Sequence, residues 1–195
     1  RFGDLEMTMP TLAPPVAMGN CGLDVEAAAQ AIAYIANRVP DAGYHKVSKL
    51  LYLAEREHLS RYGRMIVGDT FYALEDGPVP TVVYDALKGL AGRNVYGGDV
   101  AKLQERLDGV VCMEGWRVRP MADADGQWFS RSELECLDAV IAEHGHRSYG
   151  DLTNLTHDAA WEGTAPNNAI ALEAIVRTLP NADKVLAYLR GDEDE

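Results

Sequence analysis

The sequence predicts a mainly α-helical fold, a compact helical domain with one or two small β-hairpins. Apolar residues recur at helical spacing over most of the 195 residues. Two short segments lose that period and carry turn residues at their centres. Hydrophobic residues make up 47% of the chain and charged residues 25%, which is ordinary for a globular protein. A chain of this length can therefore bury a core without a disulfide or a metal.

The first two helices are marked by their boundaries and by their apolar faces. Asp24 is a predicted N-cap, and the helix it starts is expected to end before Pro40, because a proline disfavours helical backbone in the preceding residue. A second helix over residues 44–62 carries the widest apolar stripe and stops at Gly63. It is the predicted core helix. His58 lies on its apolar stripe, which favours a hydrogen-bonded core histidine over a functional group.

The remaining helices begin at recognisable start signals. Pro80 suits the first turn of a helix, where its missing N–H is not needed. Ser130 and Glu133 form a capping-box pattern, in which each residue satisfies a free backbone N–H near the other. The other predicted helices cover residues 100–107, 149–157 and 169–179, with a last one after Pro180.

Two hairpins are predicted where the helical period is lost. Both predictions rest on a two-residue turn signal between short apolar runs. The segment Gly77-Pro78-Val79-Pro80 is expected to end the first hairpin and lead into a helix. The predicted strands are residues 64–67 and 70–74 around Gly68-Asp69, then residues 110–113 and 116–119 around Glu114-Gly115.

The two ends of the chain are predicted to lie outside the domain, which we place at residues 23–190. Residues 1–22 begin without Met, carry no signal pattern and contain Met7 and Met9 as candidate starts, so we expect a lead that is disordered or derived from expression. Residues 191–195 are expected to be an acidic, disordered tail. No apolar run approaches the roughly 20 residues of a membrane-spanning helix, so no membrane contact is expected.

Charge and cysteine content narrow the function classes. The net charge of −12, with 18 basic against 30 acidic residues, disfavours nucleic acid as a partner. A basic stretch that runs along the second helix and just past its end is interleaved with acids and is interpreted as a solvated helix face. Its members are Lys46, Lys49, Arg56, Arg61 and Arg64. The three cysteines, Cys21, Cys112 and Cys136, are odd in number and far apart, which favours small core residues in the reducing cytoplasm.

No catalytic, cofactor or metal site is predicted, and the chain is predicted not to be an enzyme. His144-Gly145-His146 supplies two imidazoles, whereas a zinc site needs three or four ligands and no partner motif accompanies them. A histidine at a helix C-terminus is the favoured interpretation of His144. The sequence also lacks the nucleophile elbow, the phosphate-binding loop and the zinc deaminase pattern.

Two segments are more unusual than a plain core requires. The first is the Gly-Pro-Val corner at residues 77–79, followed by Tyr84; turn chemistry alone is an alternative explanation for it. The second is His157 with Trp161, whose side chains are expected to meet if they lie four residues apart on one helix. That pair either closes the core or forms a binding platform.

These segments lie within a longer pattern that resembles the SocA-like Panacea domain, a family of antitoxins. The matching pieces are Lys49-Leu50-Leu51-Tyr52 in a helix ending Leu59-x-x-Tyr62-Gly63-Arg64, then Ala73-Leu74-Glu75-Asp76-Gly77-Pro78-Val79 with Tyr84 and Leu87, then Leu137, Leu152, Thr156-His157 and Trp161, and finally Ile170-x-Leu172-Glu173-x-Ile175. Their order and spacing agree over roughly Asp24 to Leu179. The segment from residue 95 to 126 shows no recognised family pattern.

The resemblance implies a cytoplasmic antitoxin of a bacterial or phage toxin-antitoxin system, which acts without a cofactor by binding a cognate toxin. The acidic composition predicts that the toxin has a basic surface. We expect the partner to contact exposed residues near the Gly-Pro-Val corner and the central helices. The candidates are Lys49, Tyr52, Gly77, Pro78, Val79, Tyr84, His157 and Trp161.

Three alternatives stay open at this stage. The chain could act as an adaptor that delivers the toxin to a protease. It could be a metal-dependent hydrolase that uses His45, His58 or His157 with nearby acids. It could also be a DNA-binding autoregulator, which the net charge disfavours.

Overall fold

The computed structural model of the protein describes residues 22–192, and within this part the mainly helical fold with two small hairpins is confirmed. The helices are α1 (Val25–Arg38), α2 (Tyr44–Tyr62), α3 (Thr81–Leu90), α4 (Gly98–Leu107), α5 (Arg131–His144), α6 (Tyr149–Thr156), α7 (Ala159–Glu162), α8 (Leu172–Arg177) and α9 (Ala182–Arg190). The strands are β1 (Phe71–Leu74), β2 (Gly77–Pro80), β3 (Val111–Glu114) and β4 (Arg117–Pro120). The expected lead up to residue 21 and the last three residues of the acidic tail lie outside the described residues.

Helix α2 is the centre of the fold, as its wide apolar stripe predicted. It covers residues 44–62 and ends at Gly63, whose φ of 67° and N–H bond to the Leu59 carbonyl close the helix. Two apolar clusters meet along it. The larger joins α2 to α1, α3, α4 and α5, and the smaller joins the second half of α2 to β1, α8 and α9.

The predicted helix caps are present. Asp24 accepts a hydrogen bond from the Ala27 N–H at 3.0 Å and starts α1. Ser130 and Glu133 form the capping box of α5. Pro80, which was predicted in the first turn of a helix, is instead the N-cap of α3, one residue before the helix begins.

The first hairpin differs from the prediction. Residues 64–67 do not form a strand, because the backbone N–H groups of residues 66–68 donate to the buried Glu55 carboxylate instead. Strand β1 pairs with β2, so the Gly-Pro-Val segment forms a strand rather than ending one. Asp69, the predicted turn residue, accepts hydrogen bonds from the first backbone N–H groups of α3.

The second hairpin forms one residue later than predicted, with β3 paired to β4 around Gly115-Trp116. Strand β4 continues its pairing onto the loop between α1 and α2. The Tyr44 N–H donates to the Trp116 carbonyl at 3.1 Å, and the Val118 N–H donates to the Ala42 carbonyl at 2.8 Å. This hairpin therefore fixes the backbone immediately before the core helix.

Other boundaries and burial assignments also need correction. Helix α8 is shorter than the predicted 169–179, and α4 begins two residues earlier than predicted. Cys136 is a buried core residue as expected, but Cys112 is exposed on β3, so that part of the prediction is wrong. Cys21 lies outside the described residues. No helix within residues 22–192 has both the length and the apolar character to cross a membrane.

Candidate functional site

Three sequence segments that are distant in the chain meet at one place in the fold. Lys49 and Tyr52 come from α2, the Gly-Pro-Val corner comes from β2, and His157 to Trp161 connect α6 with α7. We refer to Lys49, Tyr52, Gly77, Pro78, Val79, His157, Asp158 and Trp161 as the motif cluster. Tyr84 lies on α3, close to its edge.

Lys49 is the unexpected member of the motif cluster, because its side chain is only 1% exposed. Its Nζ donates to the Pro78 carbonyl at 3.1 Å and so fixes β2 against α2. Burial lowers the pKa of Lys49 to about 8, opposed by the carboxylates of Asp76 and Asp158. The expectation that Lys49 is exposed, on a solvated basic face, is therefore wrong.

Gly77 is required at its position by both conformation and space. Its φ of +100° is one that side-chain-bearing residues rarely adopt. A Cβ atom there would lie 2.5 Å from Lys49 Nζ and 2.9 Å from His157 Cδ2. The Gly-Pro-Val corner is therefore more than turn chemistry, since the glycine lets three elements approach each other.

His157 and Trp161 make the predicted contact, but they do so across the junction between two helices. Their rings stack with centroids 3.7 Å apart and an interplanar angle of 8°. They do not lie on one helix, because α6 ends at Thr156 and α7 begins two residues after His157. Trp161 Nε1 donates to the Leu74 carbonyl at 2.8 Å, which ties α7 to β1.

Asp158 organises the motif cluster and was missed by the sequence analysis. Its carboxylate accepts from the backbone N–H groups of Ala160 and Trp161 at 3.0 and 3.1 Å, which caps α7. It also accepts from the Tyr52 hydroxyl at 2.7 Å and pairs with Arg56 at 3.2 Å. Burial, followed by the Asp158 charge, raises the pKa of Tyr52. An Asp before a short apolar run is an N-cap signal that could have located it.

The predicted partner-binding residues thus divide into two groups. The buried ones, for which the expected exposure is wrong, are Lys49, Tyr52, Gly77, Pro78 and Val79. The half-buried ones are Tyr84, His157 and Trp161. Burial follows from their contacts, because the polar groups of the first set bond to backbone and side chains inside the fold. The motif cluster acts as a scaffold that holds the first hairpin and α7 on α2.

His58 and His144 lie away from the motif cluster, in the core and at the end of α5. His58 is fully buried, with Nδ1 2.8 Å from the Arg64 carbonyl and Nε2 3.1 Å from Ser132 Oγ, so the predicted core histidine is confirmed. Burial lowers the pKa of His58 and of His144, the latter in the last turn of α5. Among residues 22–192, no group of three or more His, Cys, Asp or Glu side chains is placed to hold a metal ion.

Aromatic side chains gather beside the motif cluster at the N-terminal end of α2. Tyr44 and His45 occupy the first turn of α2, Tyr84 lies on α3, and Tyr149 begins α6. The His45 ring is 5.4 Å from that of Tyr84 and 5.5 Å from that of Tyr149, between centroids. Of these four residues, the sequence predicted only Tyr84 as a partner contact, and His45 was named only for the hydrolase alternative.

A protein-family comparison agrees with this arrangement. The family model described as antitoxin SocA-like, Panacea domain, matches residues 47–162, which contain the whole motif cluster. The chain therefore belongs to the SocA-like Panacea family, as its motifs predicted. Neither the curated proteins nor the solved structures gave a match.

The matched region also includes residues 95–126, where the sequence showed no family pattern, whereas the proposed closing element near residue 170 lies outside it. Membership of an antitoxin family points to a toxin-antitoxin role. It also points to a non-catalytic role.

Proposed function

We propose that this protein is an antitoxin that neutralises a cognate toxin by direct protein–protein binding. The observation that carries the proposal is that two charged groups of the motif cluster, the Lys49 ammonium and the Asp158 carboxylate, form hydrogen bonds inside the fold. Lys49 donates a hydrogen bond to the Pro78 carbonyl, and Asp158 accepts one from the Tyr52 hydroxyl. Catalysis needs a polar group that reaches a substrate, whereas a scaffold of this kind serves to present a surface.

The charge of the chain supports a basic partner. The net charge is −12, and complementary charge accelerates association and selects partners. A specific interface of standard size buries about 1,600 Å² in total, roughly 800 Å² on each protein. One face of a protein of this size is large enough to supply that area.

The experiment is coexpression with the product of the neighbouring reading frame, placed under a separate inducible promoter. We expect growth arrest by that product alone, restored growth when this chain is present, and copurification of the two proteins at unchanged toxin abundance. Unrelieved arrest would contradict the proposal.

Two other outcomes would replace the proposal by one of its alternatives. Restored growth with a falling toxin level, reversed in a protease-deficient host, would identify a proteolytic adaptor. Stoichiometric zinc or manganese in the purified chain would favour the metal-dependent hydrolase.

A further inference from the structure

We propose that the toxin docks through an arginine-bearing segment on an aromatic face at the N-terminal end of α2. This inference rests on the proposed function and adds the location and the chemistry of the contact. The aromatic face consists of Tyr44, His45, Tyr84, Trp116 and Tyr149, which come from four different elements of the fold.

Four of the five rings of the aromatic face contact one another. Tyr44 lies 4.6 Å from His45 and 5.5 Å from Tyr84, between ring centroids, and His45 also contacts Tyr149. Trp116 extends the face, because its ring lies directly on Gly43, the residue before Tyr44, where a Cβ atom would overlap the indole. Rings from α2, α3 and α6 therefore form one cluster, and Trp116 of the second hairpin lies beside it, on the backbone that leads into α2.

The rings are accessible to a partner. Trp116 is 56% exposed and Tyr149 is 46% exposed, while the other three side chains are half-buried. Fully burying a Tyr or Trp side chain removes about 150–250 Å² from water, so the exposed halves of Trp116 and Tyr149 together can contribute roughly 150–250 Å² to one side of an interface. Trp, Tyr and Arg are also the residues that most often dominate binding energy.

Two acidic side chains lie at the rim of the aromatic face. Glu75 and Asp76 form the turn of the first hairpin beside the face, and within residues 22–192 neither makes an ion pair. Asp76 has the buried Lys49 ammonium near it, which leaves the exposed Glu75 unopposed. Burial lowers the pKa of His45, so the imidazole at the centre of the face is neutral at pH 7.

The aromatic rings already bind cations within the chain. Lys88 Nζ lies 4.9 Å from the Tyr84 ring centroid, and Arg117 Cζ lies 5.0 Å from that of Trp116. Each of these cations is also paired with its own acid, at 3.7 Å from Asp85 for Lys88 and at 3.9 Å for Arg117. Glu75 in the first hairpin turn is therefore left for a guanidinium from outside, which can stack on a ring and bind a carboxylate at the same time.

Charge also decides between a second copy of the chain and a different protein. Two molecules with a net charge of −12 repel each other, whereas a basic protein is attracted. The occupant of the aromatic face is therefore a basic partner rather than a second copy.

The test measures binding of the neighbouring reading frame's product to the full chain, together with rescue of growth. We expect the double variant Trp116→Ala/Tyr149→Ala to weaken binding at least tenfold and Glu75→Lys to weaken it about tenfold. Matched controls lie away from the face: Tyr188→Ala on α9, where the residue is 66% exposed, and Glu105→Lys on α4. Both controls should bind within twofold of wild type.

The outcomes separate this inference from the proposed function. If wild type binds and protects but the face variants match the controls, the aromatic face is wrong and direct neutralisation stands. If wild type neither binds nor protects, the proposed function itself fails. A wild-type dimer that Trp116→Ala dissociates would assign the face to a second copy and overturn the inference. Should the double variant unfold, Glu75→Lys decides alone, because it changes only an exposed turn residue.

Discussion

The two hairpins of this protein have the same local design but differ in burial. Each pairs two four-residue antiparallel strands across a two-residue turn. All four residues of β2 are buried, whereas β3 and β4 mix buried and exposed positions. Local turn chemistry therefore specifies that a hairpin forms. The elements packed around the hairpin determine how deeply it is buried.

The difference comes from the number of sides on which each hairpin is held. In the first hairpin, the Pro78 carbonyl accepts a hydrogen bond from Lys49, and the Leu74 carbonyl accepts one from Trp161. Its other edge bonds to the chain before α8, where the Ala73 carbonyl accepts from the Asn167 N–H at 2.8 Å. The second hairpin is held by backbone bonds to residues 42–44. The first hairpin thus belongs to the scaffold, and the second carries an exposed tryptophan.

One glycine from each hairpin, Gly77 at the start of β2 and Gly115 in the second turn, gives the largest expected contrast. Gly77→Ala should lower the free energy of unfolding by roughly 3–5 kcal/mol, because it combines a left-handed φ with a clash against Lys49 and His157. Gly115→Ala should cost only about 1 kcal/mol, since its φ is +65° but no atom lies within 4 Å of the new Cβ. Urea unfolding followed by circular dichroism measures both. Equal losses would mean that the two hairpins are held equally.

An ion pair from each region gives the next contrast. Asp158→Ala should cost roughly 3 kcal/mol, because it removes the cap of α7 and leaves the buried Tyr52 hydroxyl without an acceptor. Glu114→Ala breaks the 2.7 Å pair with Arg119 in the second hairpin, where the Glu114 side chain is 62% exposed. That change should stay within about 0.5 kcal/mol. A small effect of Asp158→Ala in the same unfolding assay would mean that the motif cluster does not stabilise the fold.

Sequence reasoning succeeded where the determining interactions are local. The bounds of α2 followed from its apolar spacing and from Gly63, and the start of α5 followed from Ser130 and Glu133. The second hairpin was placed within one residue because its turn lies between two clear apolar runs. Contacts within four residues along the chain decide each of these features.

Sequence reasoning failed where residues distant in the chain determine the local structure. Nothing in the sequence near residues 64–67 reveals that the Glu55 carboxylate takes their backbone N–H groups, and this removes the predicted strand. In the same way, the type of residue suggested that Lys49 and Tyr52 are exposed, although long-range contacts bury them. The aromatic face has no single-segment signal, because four elements assemble it.

The free energy of unfolding should depend on pH through Glu55, which binds the backbone before the first hairpin. The backbone before the second hairpin has no such buried carboxyl among the contacts described above. Burial raises the pKa of Glu55 from 4.5 to about 7, against three backbone N–H groups that favour its ionised form. A carboxyl whose folded pKa is raised stabilises the fold at low pH, and this contribution is lost as the pH rises through the folded pKa. Between pH 5 and 7, wild type should therefore lose roughly 2 kcal/mol of stability relative to Glu55→Gln, which cannot ionise.

The comparison with Glu55→Gln isolates this one group. Burial lowers the pKa of His45 and His58, and these histidines act with the opposite sign, because the fold resists their protonation below about pH 6.5. Both histidines are present in wild type and variant, so their effect cancels in the difference between the two unfolding curves. A wild-type minus variant difference that is flat from pH 5 to 7 would show that Glu55 is already ionised in the fold. The loop before β1 would then be held by a full carboxylate charge.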